Sequence, residues 1–361
     1  MVTRDDVARR AGTSSAVVSY VVNNGPRRVS DKTRAKVLAA IEELGYRPNG
    51  FARALRSTRS RLLGLVLPDN SNPFFAELAR VIEDEAFRRG YLLLLGNSTE
   101  NDERQAAYVR EFLELRVEGL LLISAANGQP QADLTLSLDE LQGSRIPTVV
   151  LDRAISGLHA SYLSVDNFGG GYLATRHLLE HGHREVACLA GPEVTHPAES
   201  RTRGWRRAIR EAGLSAESQV LLRSPFRRES GYAAMVDLLR GQGAPSAVFA
   251  ESDEQAIGVL RAAAECAVSV PEDLALVSFD GIPESRFTSP RLTTVAQPFE
   301  EIGRQAVELA LGEQSRGAGA RVRLPVKLAI GESCGCAPPV SGQEMLEAGH
   351  GHVQSDRAVS G

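Results

Sequence analysis

No stretch of this chain is long and apolar enough to cross a bilayer, since a membrane helix needs about 18 or more consecutive apolar residues. The first ten residues, MVTRDDVARR, also lack the apolar segment of a secretory signal. These two absences predict a protein that stays in the cytoplasm and has no membrane partner. The chain has 361 residues, which is too long for one ordinary core and predicts two or three domains.

Cysteine is scarce, with four residues in the chain. Cys188 and Cys266 stand alone in apolar segments, which is typical of small core side chains. Cys334 and Cys336 form a Cys-Gly-Cys near the C-terminus, but no second group of Cys or His has the spacing of a zinc site. We therefore predict neither a metal site nor a cofactor.

Catalytic motifs are missing as well. The run Gly169-Gly170-Gly171 lacks the GxGxxG or Walker spacing and does not follow a long strand. The spacing of His177, His181 and His183 would allow a metal, but no HExxH pattern or distal carboxylate accompanies them, so a solvated helix end is the simpler interpretation. No nucleophile and base stand in a supporting pattern, and we predict no catalytic residue and no enzyme activity.

Charge is distributed unevenly along the chain. Residues 1–61 hold 13 Lys or Arg against 5 Asp or Glu, a net charge of +8, whereas the remainder carries −12. A basic head on an acidic body favours a head that binds a polyanion. A basic surface without a partner is the alternative, and charge alone does not separate the two.

Residues 1–46 have the pattern of a helix-turn-helix domain that binds double-stranded DNA. Thr3 and Ser14 can each cap a short helix, and Gly12 belongs to the tight turn between them. Ser30 can cap a third helix, which Gly45 ends. In such a unit the second helix enters the major groove, and an ordinary three-helix bundle with solvated faces is the alternative. The predicted DNA contacts of this domain are Thr3, Ser14, Ser15, Ala16, Ser19, Tyr20 and Asn23.

Residues 47–60 have the pattern of a hinge between head and body. Asn49 can cap one or two helical turns, and a helix this short is marginal in water and needs support. Arg53 and Arg56 suit phosphates or the minor groove. Leu55 suits either a wedge at a base step or packing of the linker on the body. We predict that these four side chains contact DNA.

Residues 61–335 alternate apolar runs with helical patterns. Continuous apolar runs are typical of buried parallel strands, and the alternation predicts an α/β fold with doubly wound parallel sheets. About 270 residues exceed one sheet, so we expect two lobes with a ligand between them. The predicted strands are 62–68, 91–95, 119–123, 148–151, 186–190, 247–250 and 274–279. Residues 336–361 are rich in Gly, Ser and polar side chains and are predicted to be a disordered tail.

Polar and aromatic side chains follow several of these strands. Because the carboxyl ends of parallel strands share one edge of a sheet, we expect these side chains to converge. Carboxylates and an arginine around aromatic rings suit a polyhydroxylated ligand, although any single aspartate also suits a helix cap or a loop salt bridge. The candidates are Asp69, Asn72, Phe74, Phe75, Asp152, Arg153, Asp166, Asn167, Arg201, Phe226, Ser252, Asp253, Asp280 and Gln297.

Three segments together resemble the lactose-repressor/galactose-repressor family of transcription regulators, namely VTRDDVARRAGTSSAVVSYVVNNG, VSDKTRAKVLAAIEELGYRPN and FARALRS. The resemblance extends to about residue 335. It implies a repressor that forms a homodimer, whose two heads read the halves of a palindromic operator. It also implies a body with the fold of periplasmic sugar-binding proteins, in which a small-molecule effector controls DNA binding.

The resemblance also assigns roles to single residues of the head and hinge. It implies that Ser15, Ala16 and Tyr20 read bases, although members of the family often have arginine or histidine in place of Tyr20. It implies that Leu55 opens the central base step of the operator.

In the body, the resemblance implies a set of effector contacts. Thr195 and Pro197 stand where a purine-binding member of the family has its arginine and threonine contacts. A sugar or sugar derivative is therefore the first choice of effector, and a purine or another metabolite is the alternative. The implied contacts are Phe75, Asp152, Arg201, Phe226, Asp253, Asp280 and Gln297.

Overall fold

The structure is a computed structural model, and it describes residues 2–22, 28–46, 60–124, 139–144, 146–153, 155, 158–241, 244–313 and 319–337. The chain divides into two compact units, Met1–Ser60 and Arg61–Gly361. Most of the predicted hinge (47–59) and most of the predicted tail (338–361) lie outside the described residues. Among the helices that the structure describes, none has the length and apolarity to span a bilayer.

Short helices form the described part of the first unit. They are α1 (Arg4–Ala11), α2 (Ser15–Val22) and α3 (Asp31–Leu44). Thr3 caps α1 because its hydroxyl accepts a hydrogen bond from the Asp6 amide while the Asp6 carboxylate accepts one from the Thr3 amide. Gly12 ends α1 with a φ of 63°, a conformation that glycine adopts without strain. Val7, Val18 and Val37 are fully buried and join the three helices, which confirms the predicted pattern.

Strands and helices alternate through the second unit. The strands are β1 (Leu62–Leu67), β2 (Leu92–Asn97), β3 (Gly119–Leu122), β4 (Thr148–Leu151), β5 (Ser161–Val165), β6 (Val186–Ala190), β7 (Leu221–Arg223), β8 (Ala247–Ala250), β9 (Ala275–Asp280), β10 (Thr293–Ala296), β11 (Arg321–Leu324) and β12 (Lys327–Ala329). The helices are α4 (Pro73–Arg88), α5 (Asp102–Glu114), α6 (Asn167–Glu180), α7 (His196–Glu211), α8 (Arg228–Arg240), α9 (Asp253–Glu265) and α10 (Phe299–Ala310), with further helical residues at 139–144 and a 3₁₀ turn at Pro283–Arg286.

These strands form two sheets, each the centre of one lobe. The first sheet, in lobe one, has the order β11-β5-β4-β3-β1-β2, and all of its pairs are parallel. The second sheet, in lobe two, has the order β12-β10-β9-β8-β6-β7 and is parallel except for the β10–β12 pair. Strands β3, β4, β6, β8 and β9 are buried along their whole length, as their apolar runs predict.

The chain crosses between the two lobes three times within its described part. It passes from lobe one to lobe two between β5 and β6, returns between β10 and β11, and crosses again between β11 and β12. Helix α10 packs on α4, β3, β4 and β5, so it belongs to lobe one although its sequence follows the strands of lobe two. The lobes are therefore built from discontinuous segments, and the carboxyl ends of their strands meet at the cleft between them.

Candidate functional site

A cavity of about 290 Å³ lies between the two lobes of the second unit. This is close to the lower end of the range of about 300–1,000 Å³ that small-molecule pockets occupy, so it suits one small metabolite. Lobe one contributes Asp69, Asn72, Phe74, Phe75, Glu100, Asp152 and Arg153 to its lining. Lobe two contributes Pro192, Val194, Pro197, Arg201, Pro225, Phe226, Arg227 and Asp280.

Arg201 connects the polar groups of the lobe-two wall. Helix α7 carries this side chain, which is 3% exposed. Its Nε donates to Asn167 Oδ1 at 2.8 Å, one Nη donates to the Glu251 carbonyl, and the other lies 3.3 Å from Asp280 Oδ1. The guanidinium carbon lies 3.6 Å from the centre of the Phe279 ring, within reach of a cation–π contact. These contacts hold the guanidinium in one orientation beside the cavity.

Asp280 is the last residue of β9, and its carboxyl group faces Arg201. Its φ of 115° is unusual for any residue except glycine, and such a conformation costs about 1–3 kcal/mol. Gln297 Nε2 donates to Asp280 Oδ1 at 2.9 Å, which orients the carboxyl group. Burial raises the pKa of Asp280 above its ordinary value, and the nearby Arg201 offsets this only in part. Strained residues that persist are common at ligand sites, so Asp280 is a strong candidate contact.

Asp253 follows β8 but does not line the cavity. Its Oδ1 accepts hydrogen bonds from Ser278 Oγ at 2.5 Å and Thr294 Oγ1 at 2.7 Å. Its Oδ2 accepts from the backbone amides of Gly281 and Ile282 at 2.7 and 2.8 Å. Both oxygens are thus occupied by donors of the protein. Asp253 therefore supports the loop after β9, and its contact with an effector stays a prediction.

Gln297 is the second predicted contact that the structure places outside the cavity lining. It is 6% exposed, and its amide reaches the carboxyl group of Asp280 instead. Of the seven predicted effector contacts, the cavity lining brings together Phe75, Asp152, Arg201, Phe226 and Asp280.

Asp152 provides the corresponding carboxyl group in lobe one. It follows β4 with a φ of 59°, a left-handed conformation that aspartate tolerates better than most residues. Its carbonyl oxygen accepts a hydrogen bond from Tyr162 Oη at 2.7 Å, whereas its carboxylate has no hydrogen-bond partner among the described residues. Burial raises the pKa of Asp152. Next to it, the Arg153 guanidinium lies 5.5 Å from the centre of the Phe75 ring.

Polar contacts join the two lobes at the cavity. Asn72 Nδ2 donates to the Phe226 carbonyl at 3.1 Å, and an Arg227 Nη lies 2.6 Å from Asp69 Oδ2. The Phe226 ring packs against Gly191, where an added Cβ would lie 2.1 Å from a ring atom. Glycine is therefore required at this position for the ring to reach the cavity.

The start of α7 offers little hydrogen bonding to the cavity. The Thr195 hydroxyl donates to the Pro192 carbonyl at 2.9 Å, and Thr195 is 3% exposed. Pro197 lines the cavity but has neither a side-chain donor nor an acceptor. A ligand at this point would meet an apolar surface.

Glu251 is a buried acid that the sequence analysis did not single out. It follows β8 directly, and this position was the signal that would have found it. Its Oε1 accepts from Thr202 Oγ1 at 2.6 Å, and its Oε2 accepts from the Gly191 amide at 2.8 Å. Burial raises the pKa of Glu251 to about 7. It thus supports both Arg201, through its carbonyl oxygen, and the segment after β6.

In the first unit, α2 presents the predicted base-reading residues. Ser14 Oγ accepts the Val17 amide at 3.4 Å and caps the helix. Val18 and Val21 are buried. Thr3, Ser14 and Ala16 are exposed, and Ser15, Ser19 and Tyr20 are partly exposed. The other predicted DNA contacts, Asn23, Asn49, Arg53, Leu55 and Arg56, lie outside the described residues.

Comparisons with known proteins agree with this division. Residues 3–49 match the profile of bacterial regulatory proteins of the lacI family, and residues 175–334 match a periplasmic binding protein-like domain. The HTH-type transcriptional repressor PurR of Erwinia tasmaniensis is 38% identical over 312 residues, which are 86% of this chain and 90% of that protein. The chain belongs to the LacI family of bacterial regulatory proteins. The predicted family and fold are therefore confirmed.

Solved LacI-family structures share the fold of this chain. The lac repressor dimer bound to operator and the anti-inducer ONPF has a TM-score of 0.79 and 27% identity, over 92% of this chain and 99% of that one. The complex of the transcriptional regulator CelR with cellobiose has a TM-score of 0.65 and 32% identity, over 92% of this chain and 100% of that one.

Proposed function

We propose that this LacI-family protein is a transcriptional repressor whose affinity for a palindromic operator is controlled by a sugar or sugar derivative. The effector binds in the cavity between the lobes. The observation that carries this proposal is the carboxylate of Asp152, which has no hydrogen-bond partner among the described residues and lines the same cavity as the Arg201–Asp280 pair.

The side chains around the cavity suit a polyhydroxylated molecule. Each hydroxyl group both donates and accepts hydrogen bonds. The Asp152 carboxylate can accept from one hydroxyl while the Arg201 guanidinium donates to another. The Phe75 and Phe226 rings can cover the apolar faces of a sugar ring. Asp253 and Gln297 act by holding Asp280 and its loop in place.

A purine effector is the alternative. The 38% identity with a repressor named PurR favours it. The apolar surface at Thr195 and Pro197 argues against it, because a purine ring carries donors and acceptors at its edge that would stay unpaired there. The 32% identity with CelR, solved with cellobiose, supports the sugar instead.

The DNA-binding end of the proposal rests on the basic first unit. Exposed residues near the start of α2, such as Ser14 and Ala16, are where a helix-turn-helix domain meets base edges. The net charge of +8 over residues 1–61 favours phosphate contacts and predicts strong salt dependence. Leu55, Arg53, Arg56 and Asn49 remain proposed contacts of the hinge.

Two copies of the chain would supply the two heads. Edge strand β2 exposes Leu92 and Leu95, which are 61% and 46% accessible, and Phe87 of the preceding helix is 66% accessible. Exposed apolar side chains along an unpaired strand edge favour contact with another chain. This surface therefore supports a homodimer.

Control by the effector follows from thermodynamic linkage. An effector that binds one arrangement of the two lobes more tightly than another shifts the population toward that arrangement. If the two arrangements differ in affinity for the operator, effector and operator change each other's affinity by the same factor.

A thermal-shift screen of the full chain against sugars, nucleosides and purines tests the effector class. A ligand that binds the folded protein raises its melting temperature. We expect a sugar to do so for the wild type and for the control Asp237→Asn, which changes an exposed residue of α8, but not for Asp152→Asn. A shift with purines alone would establish the alternative, and an equal shift for both variants would remove Asp152 from the site.

Selection of DNA fragments by the full chain tests the operator. We expect a palindromic sequence to be enriched, and the effector found in the screen to change its affinity. Leu55→Ala should weaken binding to this sequence more than binding to random duplex. Equal binding of palindromic and random duplex at physiological salt would contradict the proposed repressor function.

A further inference from the structure

Two histidines and a cysteine from distant parts of the chain meet in lobe two, away from the cavity. His177 lies in the last turn of α6, and His181 is the residue that ends this helix. Cys336 follows β12 near the end of the described chain. Its sulfur lies 3.7 Å from His177 Nε2 and 3.3 Å from His181 Nε2. All three ligand atoms lie within 4.8 Å of one another.

The two sulfur–nitrogen separations are close to those of ligands around one tetrahedral ion. Zinc binds histidine nitrogen at about 2.0–2.1 Å and cysteine sulfur at about 2.3 Å, which places neighbouring N and S ligands about 3.6 Å apart. The two histidines are four residues apart, a spacing that puts side chains on the same face of a helix. A thiol carries one proton and can donate to only one of the two imidazoles, whereas one metal ion satisfies all three groups.

The surroundings of the cluster also suit a cation. The C-terminal end of a helix carries partial negative charge, and α6 ends at this point. His181 is exposed while His177 and Cys336 are partly buried, so an ion can enter from solvent. Cys334 is 2% exposed, its sulfur accepts a hydrogen bond from Thr293 Oγ1 at 3.0 Å, and it also interacts with His177 and Cys336 at the edge of the group of three.

We propose that His177, His181 and Cys336 bind a zinc ion, with a water molecule as the fourth ligand. The ion would connect α6 to the segment after β12, which is 155 residues away from His181 in the chain. The opposite end of α6 begins at Asn167, which bonds Arg201 at the cavity, and a helix of 14 residues is about 21 Å long. The proposed site is therefore separate from the effector cavity.

Metal titration of the full chain tests this proposal. After treatment with a chelator, the protein is titrated with Co²⁺ and then with Zn²⁺. We expect one equivalent of Co²⁺ to give the near-ultraviolet absorption of a cobalt–thiolate bond and the visible bands of tetrahedral cobalt, and Zn²⁺ to abolish both. Zinc should also raise the melting temperature, because it binds the folded chain.

Single substitutions assign the ligands. Cys336→Ser should remove the cobalt–thiolate band, and His181→Ala should weaken zinc binding at least tenfold. His181 is exposed, so its replacement leaves the packing of lobe two unchanged. Cys266→Ser is the matched control, and it should retain full binding.

The sequence also contains His350 and His352, and their double replacement by alanine is the second control. This variant should still bind one equivalent of Co²⁺ with the thiolate band. The proposal is overturned if that variant loses the ion. It is equally overturned if Cys336→Ser, with an unchanged circular dichroism spectrum, keeps the thiolate band or its affinity.

Discussion

The two lobes carry aspartates that occupy similar places in the sequence but have opposite surroundings. Asp152 in lobe one and Asp253 in lobe two each come just after a buried strand. Asp253 receives four hydrogen bonds from the protein, whereas the carboxylate of Asp152 receives none from the described residues. The lobe-two wall is therefore a preformed surface, and lobe one supplies an acceptor that a ligand can satisfy.

The largest expected effect comes from breaking the preformed wall. Arg201→Met leaves the buried Asp280 and its neighbours without their cation, and such a loss typically costs about 3–5 kcal/mol. The free energy of unfolding can be measured in urea by the fluorescence of Trp205, the single tryptophan, which is buried in lobe two.

The control for Arg201 is on the same helix. Arg207 pairs with Glu211 on the surface of α7, and Arg207→Met should change the free energy of unfolding by less than about 1 kcal/mol. Similar losses for Arg201→Met and Arg207→Met would show that the lobe-two wall is not held together by its buried charge.

Exchange of each aspartate for asparagine tests the comparison directly. Asp253→Asn replaces one acceptor oxygen by a donor and leaves buried donors unpaired, which should cost about 1–3 kcal/mol of stability. Asp152→Asn should change stability by less than about 0.5 kcal/mol, since asparagine also tolerates the left-handed conformation. Urea unfolding and effector titration of both variants give the two readouts. Equal costs in stability would contradict the contrast between the walls.

The dependence of stability on pH reports the buried acids of the lobe-two wall. Burial raises the pKa of Glu251 from its ordinary 4.5 to about 7. Between pH 4.5 and about 7, Glu251 is therefore protonated in the folded protein but ionised in the unfolded chain. The stability that this bound proton contributes is lost as the pH rises through this range. We expect the free energy of unfolding to fall from pH 4.5 to about 7, and Glu251→Gln to flatten this slope.

A surface acid provides the comparison for Glu251. Glu229 is exposed at the start of α8, and Glu229→Gln should leave the slope of stability against pH as in the wild type. If Glu251→Gln has the same slope as Glu229→Gln, the buried carboxyl group is not the source of the dependence.

The smallest effect on stability is expected at the contact between the two lobes. Arg227 pairs with Asp69 across the cleft, but its side chain is 55% exposed. Arg227→Ala should therefore cost at most about 1 kcal/mol, while it should speed effector dissociation by loosening the mouth of the cavity. Stopped-flow measurement of effector dissociation from wild type and variant tests this prediction. An unchanged rate would show that the Arg227–Asp69 pair does not slow the release of the effector.

Local patterns were readable from the sequence. The cap at Thr3 and the end of α1 at Gly12 depend on neighbours within four residues. Strands such as β6 and β9 are buried on both faces and therefore appear as unbroken apolar runs. Strands β7, β11 and β12 lie at or beside sheet edges, are short and partly exposed, and have no such run. The apolar residues of helix α10 also follow helical spacing.

The position of the site could be predicted from the sequence. Which of its residues line the cavity and which only support the lining could not. Strand-end positions identified Asp152 and Asp280, because topology alone brings those positions together, whereas Arg201 lies within α7. The donors that saturate Asp253 come from residues 25 to 41 positions further along the chain, which no local pattern reveals. For the same reason the spacing of His177 and His181 did not point to Cys336.

The triple passage of the chain between its lobes sets the order in which the molecule can be completed during synthesis. Lobe one begins with β1 at residue 62, yet its edge strand β11 ends at residue 324. When lobe two has emerged from the ribosome as far as β10, the older lobe still lacks α10 and β11. A nascent chain of this design exposes an unfinished first lobe until residue 324 has been translated.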